Sequence, residues 1–243
     1  MVLTSRRTQV HLAASRVHKW LALIIGAQLL IWFASGVIMS FLPIEKVRGE
    51  HLVDRERVVT LPTDMNLSQL NVVLSKANAV TVNVVDGRVV ARVTRANHSD
   101  ELVDAVTGQT LPPLDATVAE RIVRSVWLGD KSVLATTRKI TTESTEYRAG
   151  LPAWQVTMSD AENTHVYVEV NTGRITAVRN ETWRLYDFFW GLHIMDWKNH
   201  ENFNTPWLLA FAVGGLILGI AGTILLFIRW PFRRRRKAKR IAG

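Results

Sequence analysis

The sequence predicts an α+β region of two αβ repeats inserted between two transmembrane α-helices, and three observations carry that reading. Residues 20–42 and 206–228 are uncharged, apolar and 23 residues long each. At about 1.5 Å of rise per residue, such a helix crosses a hydrocarbon core of roughly 30 Å with some tilt to spare. The 163 residues between them are rich in charge and turn signals. Within that region Val103-Asp104-Ala105-Val106-Thr107-Gly108 returns as Val168-Glu169-Val170-Asn171-Thr172-Gly173, one V-[DE]-x-x-T-G pattern at an offset of 65 residues.

The first segment, residues 1–19, carries Arg6, Arg7, Arg16 and Lys19 and no acid. The last, residues 229–243, carries Arg229, Arg233, Arg234, Arg235, Arg236, Lys237, Lys239 and Arg240, again with no acid. Basic residues beside a span stay on the cytoplasmic side, so both tails are expected there and residues 43–205 in the periplasm. The middle region keeps 18 basic against 21 acidic residues, so the net charge of +9 belongs to the tails. A basic run directly after a span holds topology and touches anionic headgroups, at about 1 kcal/mol per charge. The expected partner is therefore the lipid bilayer and not nucleic acid.

Arg6 and Arg7 ahead of an apolar segment also suit a cleavable signal. A signal's apolar core runs only about 7–15 residues, so residues 20–42 are expected to remain as an uncleaved anchor. The absence of cysteine excludes disulfides, thiolate metal sites, iron–sulfur clusters and covalently attached c-type haem from the exported region.

Residues 43–115 are expected to form the first αβ unit. A helix over 67–77 is opened by Asn66 and Gln69, and strands 80–85 and 88–93 flank Asp86-Gly87, a strong hairpin signal between β-branched runs. Residues 116–180 are expected to form the second unit. Its helix opens on Thr117 with Glu120 as a capping box, places Ile122, Val123, Val126 and Trp127 on one face, and stops at Gly129. Strands near 139–147, 154–158 and 165–170 complete it. The glycine of each T-G pair is expected at positive φ, as a tight turn requires.

The order of several short motifs resembles the PepSY-associated transmembrane family. These are Arg16-Val17-His18-Lys19-Trp20 leading into the first span, the tryptophan-led strand at Trp154, the two T-G turns, and Gly191-Leu192-His193 ahead of the second span. The resemblance implies a bacterial inner-membrane protein with a periplasmic PepSY region. Some longer relatives resemble haem-bearing reductases of iron–siderophore uptake; they typically have four spans, and this chain has two.

Residues 181–205 are expected to be an interfacial aromatic helix and a linker. Trp183, Tyr186, Trp190 and Trp197 recur at helical intervals, as in a helix lying at headgroup depth. If that helix ran past Trp197, then His193, Asp196 and His200 would share a face and present two imidazoles and a carboxylate to a metal. Asn199, Asn202, Asn204 and Pro206 argue that it stops earlier. The alternative is haem b on His193, or on His18, since a neutral imidazole nitrogen binds iron and the aromatic setting packs a macrocycle. The two histidines sit on opposite membrane sides, roughly 30 Å apart, so they do not share one iron. A bis-histidine site would need a homodimer or a larger membrane complex.

Gly215 and Gly219 form a GxxxG pair, with Gly214 and Gly222 nearby. That smooth face suits either a second copy or the chain's own first span, where Gly26, Ala34, Ser35 and Gly36 are also small. Gln28, the strongly polar side chain of the first span, is expected to hydrogen-bond to a helix partner.

No nucleophile elbow, HExxH, phosphate loop or GxGxxG is present, and His51, His98 and His165 stand alone in polar or turn contexts. Three functions remain: a membrane-tethered binding, scaffolding or accessory subunit; a haem b-linked redox protein; and a peptidase regulator, because PepSY units also resemble parts of protease propeptides. The expected topology is checked by an alkaline-phosphatase fusion near Asn97, which should be active. An inactive fusion on a properly expressed chain overturns the orientation.

Overall fold

The computed structural model describes residues 6–57, 60–61, 77–96 and 100–228. The expected helix over 67–77, apart from Ala77, lies outside the described residues, as do His98 and the basic tail 229–243. The chain divides into a helical unit, Met1–Phe41 with Phe188–Gly243, and a sheet unit, Leu42–Asp187.

In the helical unit, α1 (Arg6–Phe41) is one helix of 36 residues. It begins well before the apolar stretch because residues 6–19 contain neither glycine nor proline to stop it. Lys19–Phe41 is its membrane-crossing length. A second apolar helix, numbered α5 in chain order, is Pro206–Ile228. A Cβ on Gly214 would lie 2.8 Å from Ile25 Cδ1, and one on Gly215 would lie 3.3 Å from Leu29 Cδ2. Gly219 and Gly222 meet nothing within 4 Å. The glycine face therefore splits: Gly214 and Gly215 admit the chain's own first span, while Gly219 stays open.

The sheet unit starts with one short turn of helix, α2 (Ile44–Val47), followed by Gly49 at φ +70. The first sheet is antiparallel, β1 (Ala79–Val85), β2 (Arg88–Thr94) and β3 (Asp100–Asp104) in that order. Asp86 and Gly87 both take positive φ, as a two-residue hairpin turn matching the strand twist requires. Ala91, Val93, Val103 and Ala105 form its buried face, on which Ala77 packs.

The second sheet is β4 (Ala135–Ile140), β5 (Ala153–Met158), β6 (His165–Glu169) and β7 (Ile175–Arg179), antiparallel throughout. Helix α3 (Ala116–Val126) covers one face: Ala119, Ile122, Val123, Val126 and Trp127 pack on Val156, Met158, Val166, Val168 and Val178. The last element of the unit is the beginning of α4 (Glu181–Ile194).

The two T-G turns are built alike. Gly108 and Gly173 have φ of 72 and 68, and each N–H donates at 2.9 Å to the carbonyl four residues back, Asp104 and Glu169. The bridge Val103–Thr110 is matched 65 residues on by Val168–Ile175. The preceding pairing differs, since Val90 faces Asp104 whereas Ala153 faces Glu169. That is a slip of two residues, which keeps the same faces inward.

Two expected boundaries move. Asp115, not Thr117, caps α3, because its Oδ1 accepts Val118 N–H at 2.8 Å; Glu120 instead pairs with Arg124 one turn on. The strand expected over 139–147 is β4 at 135–140, and residues 144–147 close a turn through mutual Ser144 and Tyr147 backbone hydrogen bonds. Helix α4 starts at Glu181, where the interfacial segment is expected to begin, and Asn180 caps it, its Oδ1 accepting Trp183 N–H at 2.7 Å.

Gly173 separates two costs. A Cβ there would lie 2.9 Å from Leu114 Cδ1 and 3.1 Å from Val85 Cγ1, whereas Gly87, at φ +77, faces open space. Gly87→Ala should cost roughly 1–2 kcal/mol for the left-handed backbone alone, and Gly173→Ala a further ~1–3 kcal/mol for overpacking. Urea unfolding of the detergent-solubilised chain, followed by tryptophan fluorescence, measures both. Equal losses would show that the contacts around Gly173 relax.

Candidate functional site

A cleft of about 820 Å³ opens in the sheet unit between the first sheet, α3 and the Thr172–Arg174 turn. Six arginines line it, Arg55, Arg57, Arg92, Arg121, Arg124 and Arg174, against two aspartates, Asp54 and Asp86. Its apolar lining is Val84, Val85, Val90, Leu102, Ile122, Val126 and Ile175. Arg121 grips Asp86 with two hydrogen bonds, Nε at 2.8 Å and Nη2 at 2.6 Å, and holds that carboxyl below the usual carboxylate range. Arg124 is paired with Glu120 at 2.8 Å. Arg92 and Arg174 are looser, at 3.9 Å from Asp100 and 4.0 Å from Glu169. Arg57 donates to the Ser125 carbonyl and Arg55 to that of Arg48. Asp54 accepts Glu56 N–H. With both lining carboxylates engaged, the cleft is suited to recognising an anion with an apolar body. None of these arginines belongs to a sequence motif. They come from segments up to 119 residues apart, inside a region that is acidic overall, so only the fold gathers them.

In the helical unit, the expected site residue His193 lies on α4 against α1. Its Nδ1 is 3.0 Å from Ser35 Oγ, and Ser35 Oγ donates to the Trp32 carbonyl at 3.0 Å. Ser35 is 1% exposed, and its hydroxyl holds the His193 ring through Nδ1. Gly36 admits the ring, since a Cβ there would be 3.6 Å from His193 Cε1, and the Trp32 ring lies 6.4 Å away. A neutral imidazole oriented through its other nitrogen is the form that ligates iron. His193 would thus suit the role of one histidine ligand to a haem iron. His18 lies on α1 seventeen residues before Ser35, about 25 Å along the axis at 1.5 Å per residue, and its side chain lies outside the described residues. Gln28 is nearly buried, and its Nε2 finds no partner among the described residues. Trp32 Nε1 is in the same position.

The face of His193, Asp196 and His200 does not form. Helix α4 ends at Ile194, Met195 turns to φ +54, and Trp197 stands in the following loop, outside the expected aromatic periodicity. Asp196 Oδ1 accepts N–H from Lys198 and Asn199, and Oδ2 accepts from Glu201 and Asn202 at 3.0 and 2.9 Å. Those four backbone donors hold the carboxyl far below the usual range and commit it to shaping the loop. His200 packs on Gly191, where a Cβ would lie 2.5 Å from the ring. Among the described residues no group of three histidines and carboxylates is placed to hold a metal ion.

His165 and His51 are not isolated. His51 Nε2 lies 2.8 Å from Glu162 Oε1. His165 Nδ1 lies 2.7 Å from Glu146 Oε2, which also accepts from Tyr167 Oη, while Glu146 Oε1 accepts from Arg184 Nε at 2.7 Å. Burial pushes the Glu146 carboxyl up, but the hydrogen bonds and charges of His165 and Arg184 bring it down to about 2. Burial, and then the Glu146 charge, push the Tyr167 phenol up. The cluster ties the first turns of α4 to the sheet.

Because the folded carboxyl is depressed, its contribution is present above the ordinary value of 4.5 and fades as pH falls toward about 2. Glu146→Gln should lower unfolding stability at neutral pH by up to about 3 kcal/mol, and the gap to the unsubstituted chain should narrow below about pH 4. Urea titrations across that range check it; a gap constant with pH would mean that the carboxylate's charge is not what stabilises the cluster.

No curated protein and no solved structure is significantly similar to the chain. The family described as PepSY-associated TM region matches residues 15–242, which takes in both apolar helices and everything between them. The chain belongs to the PepSY-associated transmembrane family and is a membrane protein.

Proposed function

We propose that the chain is a membrane-anchored binding subunit of a larger membrane complex, whose sheet region of two PepSY-like units holds a partner or ligand in the arginine-lined cleft. On this reading the sheet region lies in the periplasm of a bacterial inner membrane and both tails in the cytoplasm, supported by twelve basic tail residues of one sign. The observation that carries it is the cleft itself, about 820 Å³ and lined by six arginines. That size is within the range of ligand pockets, and guanidinium groups favour carboxylate or phosphate partners.

A second reading, a haem b-linked redox protein, is favoured by His193, whose ring Ser35 holds through Nδ1. Haem would supply a one-electron centre there, and His193 Nε2 would hold it on one side. The other ligand would come from a second copy or another subunit. His18, about 25 Å away along α1, would belong to a separate site.

One set of preparations tests both. Arg92→Glu/Arg174→Glu should lose a partner that the unsubstituted chain retains on purification from native membranes, by about tenfold or more; undiminished recovery defeats the binding reading. The absorption spectrum of the detergent-purified chain decides the second. A b-type Soret band that disappears in His193→Ala, with membrane insertion intact, supports haem, and a colourless preparation removes it.

A further inference from the structure

We infer that the cleft's ligand is an extended acidic peptide segment, which adds to the edge of β1 and sets its carboxylates on the cleft arginines. The inference rests on the binding reading above and names the chemistry of what is bound. The first argument is charge. The region 43–205 carries more acids than bases, yet the cleft gathers six arginines against two aspartates. Asp86 neutralises Arg121 and Glu120 neutralises Arg124. Arg55 and Arg57 meet carbonyl oxygens, and Arg92 and Arg174 reach their acids only at 3.9 and 4.0 Å. The excess positive charge is therefore carried by these four, spread along the cleft, and is complementary to several carboxylates and not to one.

The second argument is the strand. β1 is the edge of its sheet and pairs, among the described residues, with β2 alone. Successive residues of a strand point to opposite faces, so a cleft on one face touches alternate residues. Here the lining takes Thr81, Asn83 and Val85 from one face of β1 and Val84 between them, so near the end of the strand the cleft also meets its backbone. Val84 N–H is held there by the carboxamide of its own neighbour, Asn83 Oδ1 at 2.8 Å, a short local bond that an incoming carbonyl replaces at small cost. Edge strands are templates for extended chains, with main-chain hydrogen bonds giving affinity and side-chain pockets giving selectivity. The third argument is the apolar lining: Val85, Val90, Leu102, Ile122 and Ile175 offer purchase to the side chains that alternate with the carboxylates. A free phosphate or a lipid headgroup would use the arginines and leave both the strand edge and this lining unused.

The test uses the full-length chain in detergent and a fluorescein-labelled heptapeptide of alternating Glu and Val, followed by fluorescence polarisation. Two comparison peptides separate the arguments: alternating Gln and Val, which keeps the strand and removes the charge, and the Glu-Val peptide with a central proline, which keeps the charge and blocks strand pairing. Each should bind at least about tenfold more weakly than the Glu-Val peptide, and added salt should weaken the Glu-Val peptide most. Arg92→Gln/Arg174→Gln should weaken Glu-Val binding by about tenfold and leave the Gln-Val peptide little changed. Equal binding of the Gln-Val peptide, equal binding of the proline peptide, or full displacement by inorganic tripolyphosphate at matched charge each overturns the inference. The peptide comparisons are made on the unsubstituted chain, so they stand even if the double variant fails to fold. If the Glu-Val peptide does not bind while the charge-reversed variant still loses its native partner, the acidic peptide falls and the binding reading survives.

Discussion

A region threaded between two membrane spans must bring its two ends together, and in this chain a buried carboxamide does so. Asn180 is fully buried; its Nδ2 donates to the Lys46 carbonyl at 2.8 Å, its Oδ1 accepts Trp183 N–H, and its own carbonyl accepts Arg184 N–H at 3.0 Å. Lys46 belongs to the segment that follows α1, and Trp183 and Arg184 to the helix that leads toward α5. The close approach is made possible by Gly49, where a Cβ would lie 2.5 Å from Val178 Cγ1. The way into the sheet unit and the way out of it are thus stitched through one side chain. Removing that side chain would strand a buried carbonyl and a helix N–H, each costing about 1–3 kcal/mol.

The direction that Asn180 gives to α4 explains why polar groups accumulate on the sheet face opposite α3. With its first turn fixed, α4 brings Arg184 onto Glu146 and stacks Trp183 on Arg179, whose Cζ lies 4.2 Å from the ring. Glu146, His165 and Tyr167 then complete a network beside the stacked pair Tyr147 and Tyr167. Taking such charges out of water costs several kcal/mol per ion, and satisfying both carboxylate oxygens is what makes the arrangement tolerable. The charged network specifies which residues of α4 meet the sheet.

Much of the architecture was legible because it rests on strong local signals. Twenty-three uncharged residues can only be a buried or membrane-crossing helix, Asp86-Gly87 between β-branched runs can hardly be anything but a hairpin, and the two T-G turns announce their positive φ. The errors fell where a weak local signal met a stronger neighbour. Thr117 with Glu120 reads as a capping box, yet Asp115 two residues earlier is the better acceptor and Glu120 is drawn to Arg124. The aromatic repeat through Trp197 ignores that Asp196, by accepting four backbone N–H groups, gains more from a loop than from a further helical turn. His193 was visible as a candidate from its place before the second span. The cleft was not, since its arginines are brought together by tertiary packing from segments with no shared motif.

For His193, the structure adds what no spacing can give, the partner that holds its ring. Ser35 Oγ lies 3.0 Å from both the Trp32 carbonyl and His193 Nδ1, so one hydroxyl links the imidazole to the backbone of α1. If the hydroxyl hydrogen goes to Trp32, Nδ1 carries the ring proton and Nε2 the lone pair; if it goes to Nδ1, the two nitrogens exchange roles. The chemistry open to His193 is therefore set by one hydroxyl on a different helix. Ser35 orients the imidazole by engaging its Nδ1. With Nδ1 engaged by Ser35, Nε2 is the nitrogen through which this ring would meet a further group.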